Sequence, residues 1–176
     1  MRNSFLAAIT LGATVLSASA FAQVEHGGTD AYPYSLSLKG SFVLPLQDNL
    51  RDVDKWFAGA SVEYLFPTQL IRGSETFMEL GAYIHTTASN NVNIFPLTIN
   101  QRFWGKPNSN GNRSYAFVGA GVTWIEPKGS AKITGHVGFG MHIGPKTFVE
   151  LGLYHAEQDS KGLRNSTALF SIGYRF

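Results

Sequence analysis

Apolar and polar residues alternate along most of the chain, in segments of about ten residues that clusters of Gly, Pro, Asn, Asp and Ser separate. A period of two is typical of a β-strand, because successive side chains point to opposite sides of a sheet. Turn-forming residues between such segments mark where the chain reverses. The pattern predicts eight strands, at Tyr34 to Leu44, Trp56 to Phe66, Thr76 to His85, Val92 to Trp104, Tyr115 to Trp124, Lys132 to Met141, Thr147 to His155 and Ser166 to Phe176.

The two faces of the predicted strands differ in chemistry. One face is apolar or small, as with Leu36, Leu38, Phe42 and Leu44 in the first strand, and it contains no charged residue. The opposite face carries charged residues, namely Lys39, Glu63, Glu79, Arg102, Lys132, Glu150 and Arg175. Two architectures fit this pattern: a soluble sandwich or barrel, such as a barrel of the lipocalin kind, with the apolar face inside, and a membrane barrel with that face outside.

The ends of the strands favour the membrane barrel. Aromatic residues lie near the ends of the apolar faces, where a membrane barrel has its interfacial girdles: Trp56, Phe66, Phe103, Trp124, Tyr174 and Phe176. The strands are long enough to cross a bilayer, which takes about 9 to 11 tilted residues. Only a closed barrel leaves no unpaired strand edge in lipid. The sequence therefore predicts an all-β fold, an eight-stranded antiparallel up-and-down transmembrane β-barrel.

The chain begins with a segment of a different kind. Arg2 is followed by an apolar stretch from Phe5 to Leu16 and by the small-residue sequence Ala20-Phe21-Ala22. A basic start, a short apolar middle and an A-x-A site are typical of a secretory signal peptide. We expect residues 1–22 to be the signal peptide, residues 23–33 a short polar extension and residues 34–176 the barrel domain.

Composition narrows the function classes. The absence of Cys excludes disulfides, thiolate zinc sites and cysteine nucleophiles. A net charge of +2 without a run of like charges gives no support for nucleic-acid binding. His136 and His142 share a strand face but are about 20 Å apart along it, too far to ligate one metal ion. We therefore expect no catalytic, cofactor-binding or metal site.

The C-terminal strand resembles that of a known family. Apolar and aromatic residues alternate up to the last residue, at Phe170, Ile172, Tyr174 and Phe176. This ending is similar to the assembly signal of the small OmpA/OmpX-like outer-membrane β-barrels of Gram-negative bacteria. The resemblance implies residence in the bacterial outer membrane as a monomer, in contact with outer-membrane lipid and lipopolysaccharide. It also implies biogenesis through periplasmic chaperones and the barrel-assembly machinery, and it concerns location more than activity.

The charged face has a consequence for the interior of such a barrel. An eight-stranded barrel is just wide enough inside for side chains to fill it, and buried charges must be paired. We expect the seven charged residues named above to form an ion-pair network in the lumen. The protein would then have a structural or surface-interaction role and would not be a general porin; a narrow gated channel is the alternative.

An enzymatic alternative comes from the PagL-like lipid A deacylases, which are also small eight-stranded barrels. These enzymes carry a His-x-Ser pair on a late strand, with a Glu nearby. The comparable stretch here reads Tyr154-His155-Ala156-Glu157 and lacks the serine. We therefore expect no enzyme. Contact with lipopolysaccharide through basic residues of the outer loops, Arg51, Lys55, Lys128, Lys161 and Arg164, is a further possibility.

Overall fold

The computed structural model describes residues 35–52, 55–85, 92–126, 130–157 and 166–176. They form eight strands and one short helix. The strands are β1 Leu36–Pro45, β2 Phe57–Leu65, β3 Glu75–His85, β4 Asn93–Trp104, β5 Ser114–Glu126, β6 Ser130–His142, β7 Thr147–Ala156 and β8 Ser166–Arg175. The helix α1, Asp48–Arg51, follows β1. The predicted signal peptide and N-terminal extension lie outside the described residues.

The eight strands form one closed barrel in sequence order, and every neighbouring pair is antiparallel. The first and last strands close it, with Leu38 opposite Tyr174 and Leu44 opposite Ala168. Three short connections, residues 66–74, 105–113 and 143–146, meet at one end, which we call the turn end. The strands β1, β3, β5 and β7 end at the other, which we call the loop end, and we call the segments that follow them in the sequence the loop-end segments. The predicted eight-stranded antiparallel barrel is confirmed, with every strand boundary within two residues of its predicted position.

The outer surface of the barrel is apolar. Large hydrophobic side chains of all eight strands are exposed there, from 40% for Phe103 to 64% for Ile133. Inward-facing positions are buried and alternate with them, as along β1 from Ser37 to Pro45. An apolar surface of this extent is unfavourable in water but favourable in contact with lipid. The face predicted to be outside, including Leu36, Leu38, Phe42 and Leu44, is therefore the outer surface.

Aromatic side chains lie near both ends of this surface. Tyr64 and Phe66 pack edge to face at the turn end, with ring centroids 5.3 Å apart, and Tyr174 and Phe176 do the same at 5.2 Å. At the loop end, Trp56 stacks on Phe42 at 5.4 Å. Such belts are typical of the two interfaces of a bilayer.

The β3–β4 ladder has one interruption. Leu80 pairs with Leu97 and Tyr83 with Ile94, and no backbone pair is recorded between them. Pro96 lies in this gap and has no amide hydrogen to donate to β3. A Cβ atom at Gly81 would lie only 3.0 Å from the Pro96 ring. A proline inside a long strand thus gives the barrel a local weak point in its hydrogen bonding.

The helix α1 covers part of the loop end. Its four residues were not predicted, and Leu50 from this helix is 1% exposed. Leu50 packs with inward-facing residues of the barrel wall, among them Val43 and Phe57. A segment that leaves β1 therefore turns back over the lumen. In the described part of the chain no helix has the length and hydropathy to cross a membrane.

Candidate functional site

Lys39 lies at the centre of a charged cluster inside the barrel. Its Nζ donates hydrogen bonds to Glu79 Oε2 at 2.6 Å and to Glu150 Oε2 at 2.8 Å. Glu63 Oε2 lies 3.8 Å from the same nitrogen. The three carboxylates come from β2, β3 and β7, on both sides of β1. One ammonium group therefore joins three strands across the lumen.

Arg102 forms the second centre of the cluster. Its Nη2 donates to Glu63 Oε2 at 2.6 Å and lies 3.5 Å from Glu150 Oε1, while Nη1 reaches Glu75 Oε2 at 3.4 Å. The guanidinium group lies 4.2 Å from the ring centroid of Phe77. Arg102 is fully buried, so it combines ion pairing with contact to an aromatic face where water is excluded.

Arg175 and two hydroxyl groups complete the cluster. Arg175 Nη2 lies 3.9 Å from Glu63 Oε1. Ser61 Oγ donates to Glu79 Oε1, and the Tyr115 hydroxyl donates to Glu150 Oε1, each at 2.8 Å. Three buried cations thus face three buried carboxylates, with Glu75 at the edge, and the carboxylate oxygens have further hydrogen-bond donors. Mutual pairing of this kind is what buried charges require.

The structure brings six of the seven predicted lumen residues into this cluster: Lys39, Glu63, Glu79, Arg102, Glu150 and Arg175. The prediction has to be corrected for Lys132, which faces inward but lies outside this cluster. It pairs with Thr123, whereas Arg102 pairs with Phe117, six positions further along β5, or about 20 Å. Lys132 is half-buried near the loop end, and no carboxylate of the described residues lies within ion-pair distance of it. The alternation of residues correctly predicts that Lys132 faces inward. It does not give the position of Lys132 along the barrel axis, which depends on the register between strands.

Apolar and aromatic side chains also face the interior. At the loop end they form one cluster: Val43, Leu50, Phe57, Tyr83, Ile94, Tyr154 and Leu169. Towards the turn end, Phe77, Tyr115, Phe117 and Phe148 form a second cluster among the charges. These rings are not among the predicted lumen residues, which are charged or small. The alternation along each strand does indicate their place, because these rings lie at the inward-facing positions of their strands.

Glycines of neighbouring strands make room for these rings. A side chain at Gly138 would collide with the Phe117 ring, and one at Gly173 would collide with the Phe148 ring. At Gly140 the obstacle is the ring of Tyr115, the residue whose hydroxyl binds Glu150. The glycines of β6 and β8 therefore position the aromatic rings, and through Tyr115 they also support the charged cluster.

His136 and Asn100 lie between the two clusters. His136 stacks on Tyr154, with ring centroids 3.9 Å apart, and its Nδ1 lies 3.0 Å from Asn100 Oδ1. Asn100 in turn donates to Thr98 Oγ1 at 3.0 Å. Among the described residues no group of three or more metal-ligating side chains converges. His136 is accounted for by stacking and hydrogen bonding.

A histidine and a serine meet on the outside of the barrel. His155 on β7 is opposite Ser166 on β8, and its Nδ1 lies 2.8 Å from Ser166 Oγ. The His-x-Ser pattern would place a serine on the strand of His155, whereas Ser166 lies on the next strand. His155 is exposed on the apolar surface near the loop end, whereas Ser166 is buried beneath it.

Comparisons with known proteins bear on the fold. Neither a protein-family model nor a curated protein sequence matches the chain. Ail, the attachment invasion locus protein of Yersinia pestis, is 14% identical, covering 81% of this chain and 97% of its own, with a TM-score of 0.52. Neisserial surface protein A is 12% identical, covering 80% of this chain and 94% of its own, with a TM-score of 0.55. The fold is that of the small outer-membrane β-barrels. Ail has also been solved in complex with the heparin analogue sucrose octasulfate.

This likeness confirms the predicted resemblance at the level of the fold. The match extends over nearly the full length of the two solved barrels, so it covers the whole eight-stranded unit. The predicted outer-membrane location agrees with this fold and with the apolar outer surface and its aromatic belts. The lipocalin-like alternative is wrong, because such a barrel has its apolar face inside.

Proposed function

We propose that the chain is an integral outer-membrane barrel with a structural or surface-interaction role, and that its lumen is closed by side chains. The observation that carries this proposal is the Lys39 and Arg102 cluster, in which six buried charges from different strands pair across the interior. A water-filled pore would keep such charges apart and hydrated. A barrel of eight strands is also too narrow to hold both these side chains and an open channel.

The loop end supports the same proposal independently. Leu50 and the apolar cluster around it lie across the interior above the charged residues. An ion that entered from this end would have to pass an apolar layer before reaching any charge, which is a barrier to conduction. The two obstacles differ in chemistry and lie at different heights. The loss of one of them would therefore not open a path.

We expect no ion conductance from the purified protein. In a planar lipid bilayer it should give no stepwise current increments, whereas a general porin inserted in the same way should give large ones. The substitution Leu50→Ala serves as a control, since it opens the apolar layer but leaves the charged cluster intact. Regular small steps from the unmodified protein would support the narrow-channel alternative and overturn the proposal of a closed lumen.

A surface-interaction role rests on the loop end. Ail binds a sulfated heparin analogue in one of its structures. The loop-end segments of this chain contain five Lys or Arg and five Asp or Glu, and Arg51 pairs with Asp48 at 3.5 Å. Such balanced loops do not favour a polyanion of that kind. We propose instead contacts with mixed-charge surfaces such as the headgroup region of lipopolysaccharide.

We also propose that the protein is not a lipid hydrolase, although His155 and Ser166 lie within hydrogen-bond distance. Serine nucleophiles act with a histidine that a third group orients, next to donors that stabilise the oxyanion. Among the described residues, no carboxylate is hydrogen-bonded to His155. The pair is accounted for by mutual hydrogen bonding at the membrane interface.

The test of this point is incubation of the folded barrel with lipid A and analysis of released fatty acid. We expect the unmodified protein and Ser166→Ala to release equal, background amounts. Release by the unmodified protein that Ser166→Ala abolishes would show a serine hydrolase. A fluorophosphonate label that reacts with the unmodified protein but not with the variant would show the same.

A further inference from the structure

The connections at the turn end of the barrel carry charge of one sign. These three connections, residues 66–74, 105–113 and 143–146, contain Arg72, Lys106, Arg113 and Lys146 and neither Asp nor Glu. All three connections lie within the described residues. The loop-end segments contain equal numbers of acidic and basic residues, five of each. The net charge of the connections is therefore concentrated at one end.

These cations lie beside an apolar and aromatic surface. Leu70 and Ile71 precede Arg72 and are 46% and 48% exposed, and Ile143 is 54% exposed. Lys146 lies over the ring of the exposed Tyr174, 5.7 Å from its centroid. Exposed aliphatic groups, an interfacial ring and cations thus lie side by side at this end, a combination that suits the boundary between the acyl chains and the headgroups of a lipid leaflet.

The connections are held in shape by their own hydrogen bonds. In residues 66–74, the Gly73 amide donates to Gln69 Oε1 at 3.1 Å, and Gly73 has a φ of +80° that favours glycine. In residues 105–113, Asn108 Oδ1 accepts from the amides of Asn110 and Asn112. Ordered connections lose less entropy when a ligand binds than flexible ones. The basic residues are thus presented on a fixed frame.

We propose that the turn end binds the headgroups of anionic phospholipids and so selects them over zwitterionic lipids in the leaflet around it. Arg72 and Lys106 are exposed, and no carboxylate of the described residues pairs with either. Lys146 is placed at the level of the interfacial rings. Each cation near an anionic lipid surface strengthens association about fivefold. Arg113 contributes less, because its guanidinium lies over Trp104 and its Nε donates to Gly105 O.

The proposal rests on the placement of the barrel in a membrane, which is tested separately by heat-dependent migration of the membrane fraction on a gel. The lipid test uses native mass spectrometry of the folded full barrel in detergent, with phosphatidylglycerol and phosphatidylethanolamine of identical acyl chains. We expect the unmodified protein to retain phosphatidylglycerol at least fivefold more tightly. The triple variant R72Q/K106Q/K146Q should bind phosphatidylglycerol at least tenfold more weakly and bind phosphatidylethanolamine unchanged.

The matched control is R51Q/K55Q/K128Q, which removes three cations from the loop end and gives the same net charge. It should keep the preference for phosphatidylglycerol, and both variants should still migrate as folded barrels before heating. Equal retention of the two lipids by the unmodified protein would overturn the proposal. Equal losses in the two variants would also overturn it, by showing an effect of net charge alone. Displacement of the lipid by millimolar inorganic phosphate would indicate a site for free anions and not for lipid.

Discussion

Replacing Lys39 by Met is expected to lower the free energy of unfolding of the barrel by about 3–5 kcal/mol. The substitution keeps the length of the side chain but removes the cation that Glu79 and Glu150 bind at 2.6 and 2.8 Å. Both carboxylates are buried, so neither can exchange the lost partner for water. Removal of one member of a buried ion pair leaves an uncompensated charge, which costs far more than the pair contributes.

The measurement is a urea titration of the folded barrel in lipid vesicles, followed by tryptophan fluorescence. Lys132→Met is the matched control, because Lys132 also faces inward but has no carboxylate of the described residues within ion-pair distance. Lys132→Met should lower the free energy of unfolding by less than about 1 kcal/mol. Equal losses in the two variants would show that the contacts of Lys39 add nothing to stability.

A combined variant separates charge from packing. The variant K39M/E79Q/E150Q removes the charge of Lys39 together with those of the two carboxylates that it binds. The amides that replace the carboxylates can still accept hydrogen bonds from Ser61 and Tyr115. We expect this variant to recover at least half of the loss caused by Lys39→Met. A combined variant as unstable as Lys39→Met would mean that the volume and shape of the lysine side chain matter more than its charge.

The barrel itself could be predicted from the sequence because one period governs the whole chain. Each strand alternates between lipid and lumen, so the period of two located the strands and separated their faces. The observed strand boundaries are close to the predicted ones because Gly, Pro, Asn and Ser mark the turns. The helix Asp48–Arg51 was missed, since four residues are too few to show a helical period.

The interior could be predicted only in part. Alternation tells which side chains point inward, but height in the barrel depends on the register between strands. Lys132 was therefore grouped with residues that lie about 20 Å away along the strand. Glu75, which reaches Arg102, was missed because the predicted strand began one residue later, at Thr76.

The aromatic rings of the lumen were missed for a different reason. Aromatic residues in a membrane barrel are expected at the lipid interfaces, and Trp56 and Tyr174 are found there. Phe77 and Phe117 lie at inward-facing positions of their strands. Inside the barrel they pack edge to face, with ring centroids 5.8 Å apart. Gly138 on the adjacent strand leaves room for the Phe117 ring, and a glycine alone does not show which ring it receives.

Gly138 provides the sharpest test of this packing. A methyl group there would lie 2.6 Å from the backbone oxygen of Leu151 and would also collide with the Phe117 ring. We expect Gly138→Ala to lower the free energy of unfolding by about 3 kcal/mol, at the upper end of the cost of overpacking, because a backbone atom cannot rotate away. The same urea titration measures it.

Gly135→Ala is the control, because Gly135 lies on the same strand but faces outward. A methyl group there meets only the backbone oxygen of His155, at an ordinary 3.8 Å. Alanine at an unobstructed strand position should be neutral or stabilising by up to about 1 kcal/mol. Equal destabilisation by the two substitutions would mean that β6 needs glycine for flexibility and not for space. The double variant G138A/F117L then divides the cost, since any stability it regains over Gly138→Ala comes from the ring and the remainder from the Leu151 backbone.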